Sequence, residues 1–194
     1  MQPTTKSKSE SGPSDAALVV AARAGEKWAQ EALFRRHVRM VNGLAFRLLG
    51  RDQEVDDLVQ DSVLAAFRGL DRLAEPQAFS GWLASIVVRT AHKMLRRRRM
   101  LTRLGLRKAS SIDLDQVVSA ASSPSARAEL HQLYRCLDTL DPGARIALVL
   151  QRVEGMSIPE IASHMELSAS TVKRRLKLAE ARLAEHAAAR EGTP

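Results

Sequence analysis

Apolar residues recur at three- and four-residue spacing along most of the chain, and this pattern predicts helices. Alternation of period two, which would predict strands, does not occur over any useful length. We therefore predict an all-α fold. The predicted helices lie at about residues 15–25, 28–49, 52–70, 78–99, 126–140, 142–153 and, as a pair joined by a tight turn, 158–189.

Capping and helix-breaking residues mark the predicted ends of these helices. Asp15 is predicted to cap the first helix, and Gly50 to end the second. Pro142 fits the first turn of its helix, where backbone N–H groups have no partner within the helix and proline therefore removes no hydrogen bond. Ser168 is predicted to cap the last helix. From the pattern of the second helix, Phe34 is expected to face inward.

Composition divides the chain into four segments. Residues 1–14 are rich in Ser, Lys, Pro and Gly, and we predict a disordered tail. Residues 15–99 form a first helical domain, and 126–189 a second. Between them, residues 100–125 combine paired serines with patchy periodicity, which is typical of a linker. The prediction is two small helical domains joined by a flexible linker.

The segment 158–177 carries the strongest functional signal. Ile158, Ile161, Ala162 and Met165 form one apolar stripe, and a second helix follows after a tight turn. The face opposite the second helix's apolar stripe carries these residues: Ser170, Lys173, Arg174 and Lys177. This pattern favours a helix-turn-helix that reads the major groove of DNA. An amphipathic helix with a basic, solvated face would give the same pattern, and Glu166 occupies a turn position that favours glycine.

The third predicted helix has an acidic face that contains one apolar residue. Asp57, Gln60, Asp61 and Leu64 share this face, opposite the apolar stripe expected to pack on the core. A solvated face explains the carboxylates. A protein-docking surface, in which an apolar anchor has a polar rim, also explains Leu64. Both interpretations fit the sequence.

The fourth predicted helix joins aromatic residues at its start to an arginine run at 96–99. Burial of Phe79 and Trp82 and a solvated helix end would account for both features. Together with the irregular segment 71–77, the same residues also suit single-stranded DNA, whose phosphates bind cations and whose bases enter a pocket.

The formal net charge of +8 and a pI near 10.4 are compatible with a polyanionic partner. The single cysteine, Cys136, rules out an internal disulfide, and the five histidines lack metal-ligand spacing. No nucleophile motif or phosphate loop is present, so we expect neither an enzyme nor a cofactor or metal. Without a long apolar stretch, we expect a cytosolic protein that does not insert into a membrane.

Three segments in order resemble the bacterial RNA polymerase sigma factors of the extracytoplasmic-function group. They are Asp56–Asp61, Phe79–Leu83 with the arginine-rich helix end, and Leu137–Pro142 leading into the helix-turn-helix. The resemblance covers about residues 17–99 and 127–185. It implies sigma region two in the first domain, sigma region four in the second, and promoter-specific transcription initiation as the function.

The resemblance also implies partners and residue roles. Core RNA polymerase, through its β′ clamp helices and its β subunit, promoter DNA and an anti-sigma factor are the implied partners. The implied location is the cytoplasm, where an anti-sigma factor could hold the chain at the membrane. Polymerase docking falls to Asp57, Gln60, Asp61 and Leu64. Recognition of the −10 element falls to Asp71, Arg72, Gln77, Arg89, Lys93, Arg96 and Arg97. Recognition of the −35 element falls to Ser170, Thr171, Lys173, Arg174 and Lys177.

Three positions depart from the pattern of that group. Its members commonly have Asn at the position of Arg89, Asp at that of Lys93 and Gly at that of Glu166. The first two changes make the DNA-facing helix more basic. Two other functions compete with this one: a dimeric repressor or activator that reads a palindrome, and an enzyme acting on nucleic acid. The second would need a metal or nucleophile cluster that the sequence lacks.

Overall fold

The computed structural model describes residues 12–50, 52–106 and 123–191, and these form helices and short turns without a β-strand. The all-α prediction is confirmed. The helices are α1 (Asp15–Arg23), α2 (Lys27–Leu49), α3 (Asp52–Arg68), α4 (Phe79–Arg103), α5 (Pro124–Thr139), α6 (Pro142–Arg152), α7 (Ile158–Met165) and α8 (Ala169–Glu191). Two 3-10 turns, Leu70–Arg72 and Pro76–Ala78, connect α3 to α4.

Helices α1 to α4 form an N-terminal unit around a core of leucine, valine, alanine and phenylalanine. Gly50 ends α2 as predicted, in the left-handed conformation with φ 66°, and its N–H donates to the Phe46 carbonyl at 2.7 Å. The cap of α1 differs from the prediction. Ser14 accepts from the Ala17 N–H, while Asp15 lies in the first turn and binds Arg36 and His37 of α2.

The inward face of α2 also differs from the prediction at one position. Phe34 is 38% exposed, whereas His37 is buried. The histidine can be buried because its Nε2 lies 2.8 Å from the Asp15 carboxylate and its ring meets the edge of Phe79. A tertiary partner from α1 therefore allows a polar residue of α2 to face the core.

Helices α5 to α8 form a C-terminal unit with α6 at its centre. Every residue of α6 from Pro142 to Leu150 is buried, so this helix is enclosed on all sides. Pro142 occupies the first turn as predicted, and the Asp141 side chain caps the helix by accepting from the Gly143 N–H. Helices α7 and α8 both pack on α6.

The two units pack against each other. Helix α4 contacts α6 and α7, and α2 contacts α6. Buried apolar residues of both units, among them Ala91 of α4 and Ile146 and Ile161 of α6 and α7, belong to one continuous cluster. Helix α4 extends to Arg103 and α5 begins at Pro124, so both helices enter the segment predicted as a linker. Most of the predicted linker, residues 107–122, lies outside the described residues. Residues 1–11 of the predicted tail lie outside them as well.

Candidate functional site

The acidic face of α3 points to solvent. Val55, Leu58, Ser62 and Ala66 are buried against the N-terminal core, which fixes the rotation of the helix. The predicted docking residues lie on the opposite side and are all exposed: Asp57, Gln60, Asp61 and Leu64. Leu64 keeps 44% of its surface accessible. The structure therefore presents an apolar side chain within a rim of carboxylate and amide groups.

The segment before α4 is held in place by an arginine that the sequence analysis did not single out. Arg23 of α1 donates to the Leu70 carbonyl at 3.0 and 3.2 Å and also to the Leu73 carbonyl. Leu70 and Leu73 are buried. The predicted DNA-contacting side chains of this segment, Asp71, Arg72 and Gln77, are left exposed.

The basic end of α4 is divided between ion pairs and exposed cations. Arg98 binds Glu54 of α3 at 3.0 Å and Asp138 of α5 at 2.6 Å, and Arg99 binds Asp141 at 2.9 Å. The predicted DNA-binding residues Lys93, Arg96 and Arg97 remain exposed. Arg96 and Arg97 line an open cleft together with Arg99, Met100, Arg103, Asp141 and Pro142.

Helices α7 and α8 form the predicted helix-turn-helix. Glu166 ends α7 with φ 53° and ψ 49°, the left-handed conformation that its turn position requires. The next N–H, of Leu167, donates to the Ala162 carbonyl at 2.9 Å. Ser168 caps α8 as predicted, because its Oγ accepts from the Thr171 N–H at 3.2 Å.

The predicted DNA-binding face of α8 is exposed to solvent. Val172, Leu176 and Ala179 are buried and hold the helix from behind. Ser170, Lys173, Arg174 and Lys177 are exposed, whereas Thr171 is half-buried and its hydroxyl lies 2.8 Å from that of Ser168. Three cations and a hydroxyl on one convex helix face can contact phosphates and base edges in a major groove.

Arg89 is predicted to contact DNA, but the sequence did not indicate which residues surround it. It is half-buried, and its guanidinium lies 3.0 Å from the Glu166 carboxylate in the turn of the helix-turn-helix. The structure thus brings one residue of the predicted −10 surface into contact with the domain predicted to read −35.

Arg145 is a central residue that the sequence analysis missed. It lies within the apolar run of α6, is 1% exposed, and donates to the carbonyls of Leu48 at 2.9 Å and Leu49 at 2.7 Å, at the C-terminal end of α2. It also pairs with Asp138. Burial lowers the pKa of Arg145, and the neighbouring carboxylate of Asp138 opposes that shift. The only sequence signal was a cation within a fully apolar segment.

Two properties limit the chemistry of the described part of the chain. No three His, Cys, Asp or Glu side chains in it lie close enough together to hold a metal ion. Among its helices, none combines the length and the apolar character needed to cross a membrane. The surfaces described above are one anionic and two cationic.

Two family models match the chain in order. The model of sigma-70 region 2 matches residues 33–100, and that of sigma-70 region 4 matches residues 130–183. The first match covers α2 to α4, which carry the acidic face and the basic helix. The second covers α5 to α8, which include the helix-turn-helix.

Characterised proteins show the same likeness over nearly the full chain. The extracytoplasmic-function sigma factor SigM of Mycobacterium tuberculosis is 35% identical over 172 residues, which are 88% of this chain and 83% of that protein. The sigma factor CnrH of Cupriavidus metallidurans is 33% identical over 88% of this chain and 94% of its own length. A solved structure of CnrH with the cytosolic domain of CnrY matches with a TM-score of 0.60 and 30% identity, over 90% of this chain and 97% of that one.

Proposed function

The chain belongs to the extracytoplasmic-function group of RNA polymerase sigma factors, and we propose that three of its surfaces divide the contacts of transcription initiation among them. It binds core RNA polymerase and directs initiation at specific promoters. Its family is not a family of catalytic enzymes, and we propose that this chain likewise has no catalysis of its own. Its contribution is to position the polymerase.

The acidic face of α3 is the proposed polymerase-docking surface. One observation carries this assignment: Leu64 is exposed within a rim formed by Asp57, Gln60 and Asp61, on a helix whose opposite face is buried. A partner surface with an apolar pocket and surrounding cations would bury Leu64 and pair the carboxylates. In a sigma factor, that partner is the β′ clamp of the polymerase, and the β subunit would contact the remainder of the chain.

The two basic surfaces are the proposed DNA contacts. Helix α8 presents Ser170, Lys173, Arg174 and Lys177 on a convex face that fits a duplex groove, with the half-buried Thr171 beside them, which supports recognition of the −35 element. The segment 71–77 and α4 combine exposed polar residues with the cations Arg89, Lys93, Arg96 and Arg97, which supports binding of the unpaired −10 strand.

An anti-sigma factor is the proposed regulatory partner. The support is the solved structure of CnrH in complex with the cytosolic domain of CnrY, since CnrH is similar to this chain along most of its length. Bacterial polymerase and promoter DNA are both in the cytoplasm, so we propose the cytoplasm as the place of action.

The docking assignment is tested by the affinity of the chain for core polymerase. The double variant Leu64→Asp with Asp61→Lys should weaken binding about 30-fold, as expected for loss of a central anchor worth about 2 kcal/mol. The matched control is Val20→Asp with Glu31→Lys, which makes the same kinds of change at an exposed apolar residue and an exposed carboxylate elsewhere on the N-terminal unit. Equal affinity of the two double variants would refute the assignment.

A further inference from the structure

The segment that joins α3 to α4, residues 70–78, consists of two 3-10 turns with extended backbone between them. Leu73 has φ −72° and ψ 107°, and Glu75 has φ −114° and ψ 106°. Because extended backbone outside a sheet has no regular hydrogen bonds of its own, its course depends on contacts with the rest of the domain. This connecting segment carries three of the exposed side chains proposed to contact the −10 strand: Asp71, Arg72 and Gln77.

Arg23, in the last turn of α1, holds the first part of the connecting segment by its backbone. Its Nε and Nη2 donate to the Leu70 carbonyl at 3.2 and 3.0 Å, and Nη2 also donates to the Leu73 carbonyl. The guanidinium is planar and carries its charge at any ordinary pH. One rigid group therefore fixes the relative orientation of two carbonyls three residues apart. Asp71 and Arg72 lie between these two carbonyls in the chain.

Helix α1 is itself fixed to the rest of the N-terminal unit. Three of its side chains are buried in the core: Leu18, Val19 and Ala22. At its other end, the Asp15 carboxylate accepts from Arg36 of α2 at 2.6 Å and lies 2.8 Å from Nε2 of His37. Helix α1 also contacts both 3-10 turns of the connecting segment. Arg23 thus ties this segment to a helix that cannot easily shift.

The leucine side chains of the connecting segment do a different task from Arg23. Leu70 and Leu73 are 3% and 5% exposed, and their burial stabilises the segment against the core. Apolar contact is non-directional, so it leaves the rotation of the backbone weakly determined. Hydrogen bonds to Arg23 depend on direction, because they weaken steeply when the N–H···O angle closes. We therefore assign the orientation of the segment, rather than its burial, to Arg23.

We propose that Arg23 is a positioning residue for promoter recognition. Through the carbonyls of Leu70 and Leu73, it holds the connecting segment in the geometry in which Asp71 and Arg72 meet the unpaired −10 strand. A segment held in advance loses less conformational freedom when the strand binds, and it presents its side chains in one arrangement only. This inference rests on the proposed assignment of residues 71–77 to the −10 element.

The hold on the segment is tested on the chain alone, by amide hydrogen exchange resolved by residue. In Arg23→Met, which keeps an apolar stem and loses the donors, the N–H of Leu73 should exchange about tenfold faster, since bonds from a charged donor to this turn are lost. Amides of α2 and α3 should exchange as in the parent. The control is Arg35→Met, at an exposed arginine of α2. Exchange that is unchanged at Leu73, or that rises equally in all helices, would overturn the proposal.

The effect on recognition is tested with core polymerase. A template with a paired upstream element and an unpaired −10 strand is taken from the start site that the parent holoenzyme uses most, together with versions that carry single-base changes in that strand. Arg23→Met should bind the original strand about fivefold more weakly and the changed strands nearly as the parent does, so that discrimination between them falls. Its affinity for core polymerase should equal that of Arg35→Met. Discrimination equal to that of Arg35→Met would overturn the proposal.

A second variant, Arg23→Lys, separates the geometry of the guanidinium from its charge. The ammonium group keeps the charge but lacks the planar arrangement of donors, so it should recover less than half of the discrimination that Arg23→Met loses. Full recovery would show that charge alone suffices and that the two carbonyls need not be held together.

Failure of the proposed function gives a different result. If the parent holoenzyme itself does not distinguish the strands, the assignment of residues 71–77 to the −10 element is wrong, and the recognition role of Arg23 falls with it. The exchange measurement uses neither polymerase nor DNA. It therefore decides whether Arg23 holds the connecting segment even where the promoter assignment fails.

Discussion

Arg145 of α6 donates through Nε to the carbonyl of Leu48, 2.9 Å away, at the last turn of α2. The carbonyls at a helix C-terminus lack partners within the helix and carry partial negative charge, so a buried cation there satisfies them and is stabilised by them. Since Leu48 and Arg145 belong to different units, this one hydrogen bond makes the packing of the units a specific contact.

Replacing Arg145 by Met should destabilise the chain by about 1–3 kcal/mol, because the Leu48 and Leu49 carbonyls would lose their buried donor. Asp138 would keep Arg98 as a partner, which limits the loss. Urea unfolding followed by circular dichroism measures the change. Arg152→Met, at an exposed arginine of the same helix, should shift the free energy of unfolding by less than about 0.5 kcal/mol. If the two variants unfold alike, Arg145 does not have the role described here.

Replacing Glu166 by Gly should stabilise the C-terminal unit by about 1 kcal/mol, because glycine adopts the left-handed conformation without strain. The exposed ion pair with Arg89 that is lost contributes less than this. The control is Glu166→Gln, which removes the charge and keeps the strain. Thermal unfolding of both variants decides the point, and a glycine variant that melts no higher than the glutamine variant would contradict it.

Lys173→Ala or Arg174→Ala should weaken promoter binding by the assembled holoenzyme by about 1–3 kcal/mol if the side chain contacts a base, with loss of discrimination at that position. If the contact is to a phosphate, binding should weaken equally for all sequences. The slope of log K against log salt concentration should then become shallower by about one, the contribution of one phosphate contact. Arg182→Ala, at an exposed arginine farther along α8, is the control. Fluorescence anisotropy at several salt concentrations separates the two cases. If the Lys173→Ala and Arg174→Ala variants bind promoter DNA with the same affinity and salt dependence as the control variant, these residues lie outside the DNA interface.

Acidification should destabilise the folded chain through His92. Burial, followed by the charges of Arg175 and Arg96, lowers the pKa of His92 below its usual 6.5, and Asp141 opposes this with a smaller effect. The unfolded chain therefore binds more protons in this range. The stabilisation is fully present above pH 6.5 and is lost as the pH falls through the lower folded value.

The measurement is urea unfolding at pH 7.5 and at pH 5. The parent chain should lose more stability between the two than His92→Gln, which has no proton to gain there. An equal loss in both would mean that His92 is not the group responsible.

The sequence predicted local structure well where one residue type determines it. Gly50 ends α2, Pro142 starts α6 and Ser168 caps α8, because each conformation depends on the backbone chemistry of that residue. The positive φ of Glu166 agrees with the expectation that this turn position favours glycine. The exposure of Leu64 followed from helical periodicity alone.

The sequence did not predict contacts between residues far apart in the chain. Periodicity places Phe34 inward, but the residue is partly exposed, and periodicity does not indicate that Asp15 of α1 pairs with the buried His37. Nothing near Arg145 in the sequence indicates that the carbonyls of Leu48 and Leu49 accept hydrogen bonds from it. The predicted linker suggested two independent domains, whereas the complementary surfaces that join the two units become visible only once both are folded.

Transcription in vitro tests whether this chain brings core polymerase to promoters. Purified chain and core polymerase without other sigma factors are incubated with a fragmented genomic template, and the 5′ ends of the transcripts are sequenced. We expect discrete start sites that require the chain and share two upstream elements at constant spacing. Transcripts that are absent, or that start at the same places without the chain, would contradict it.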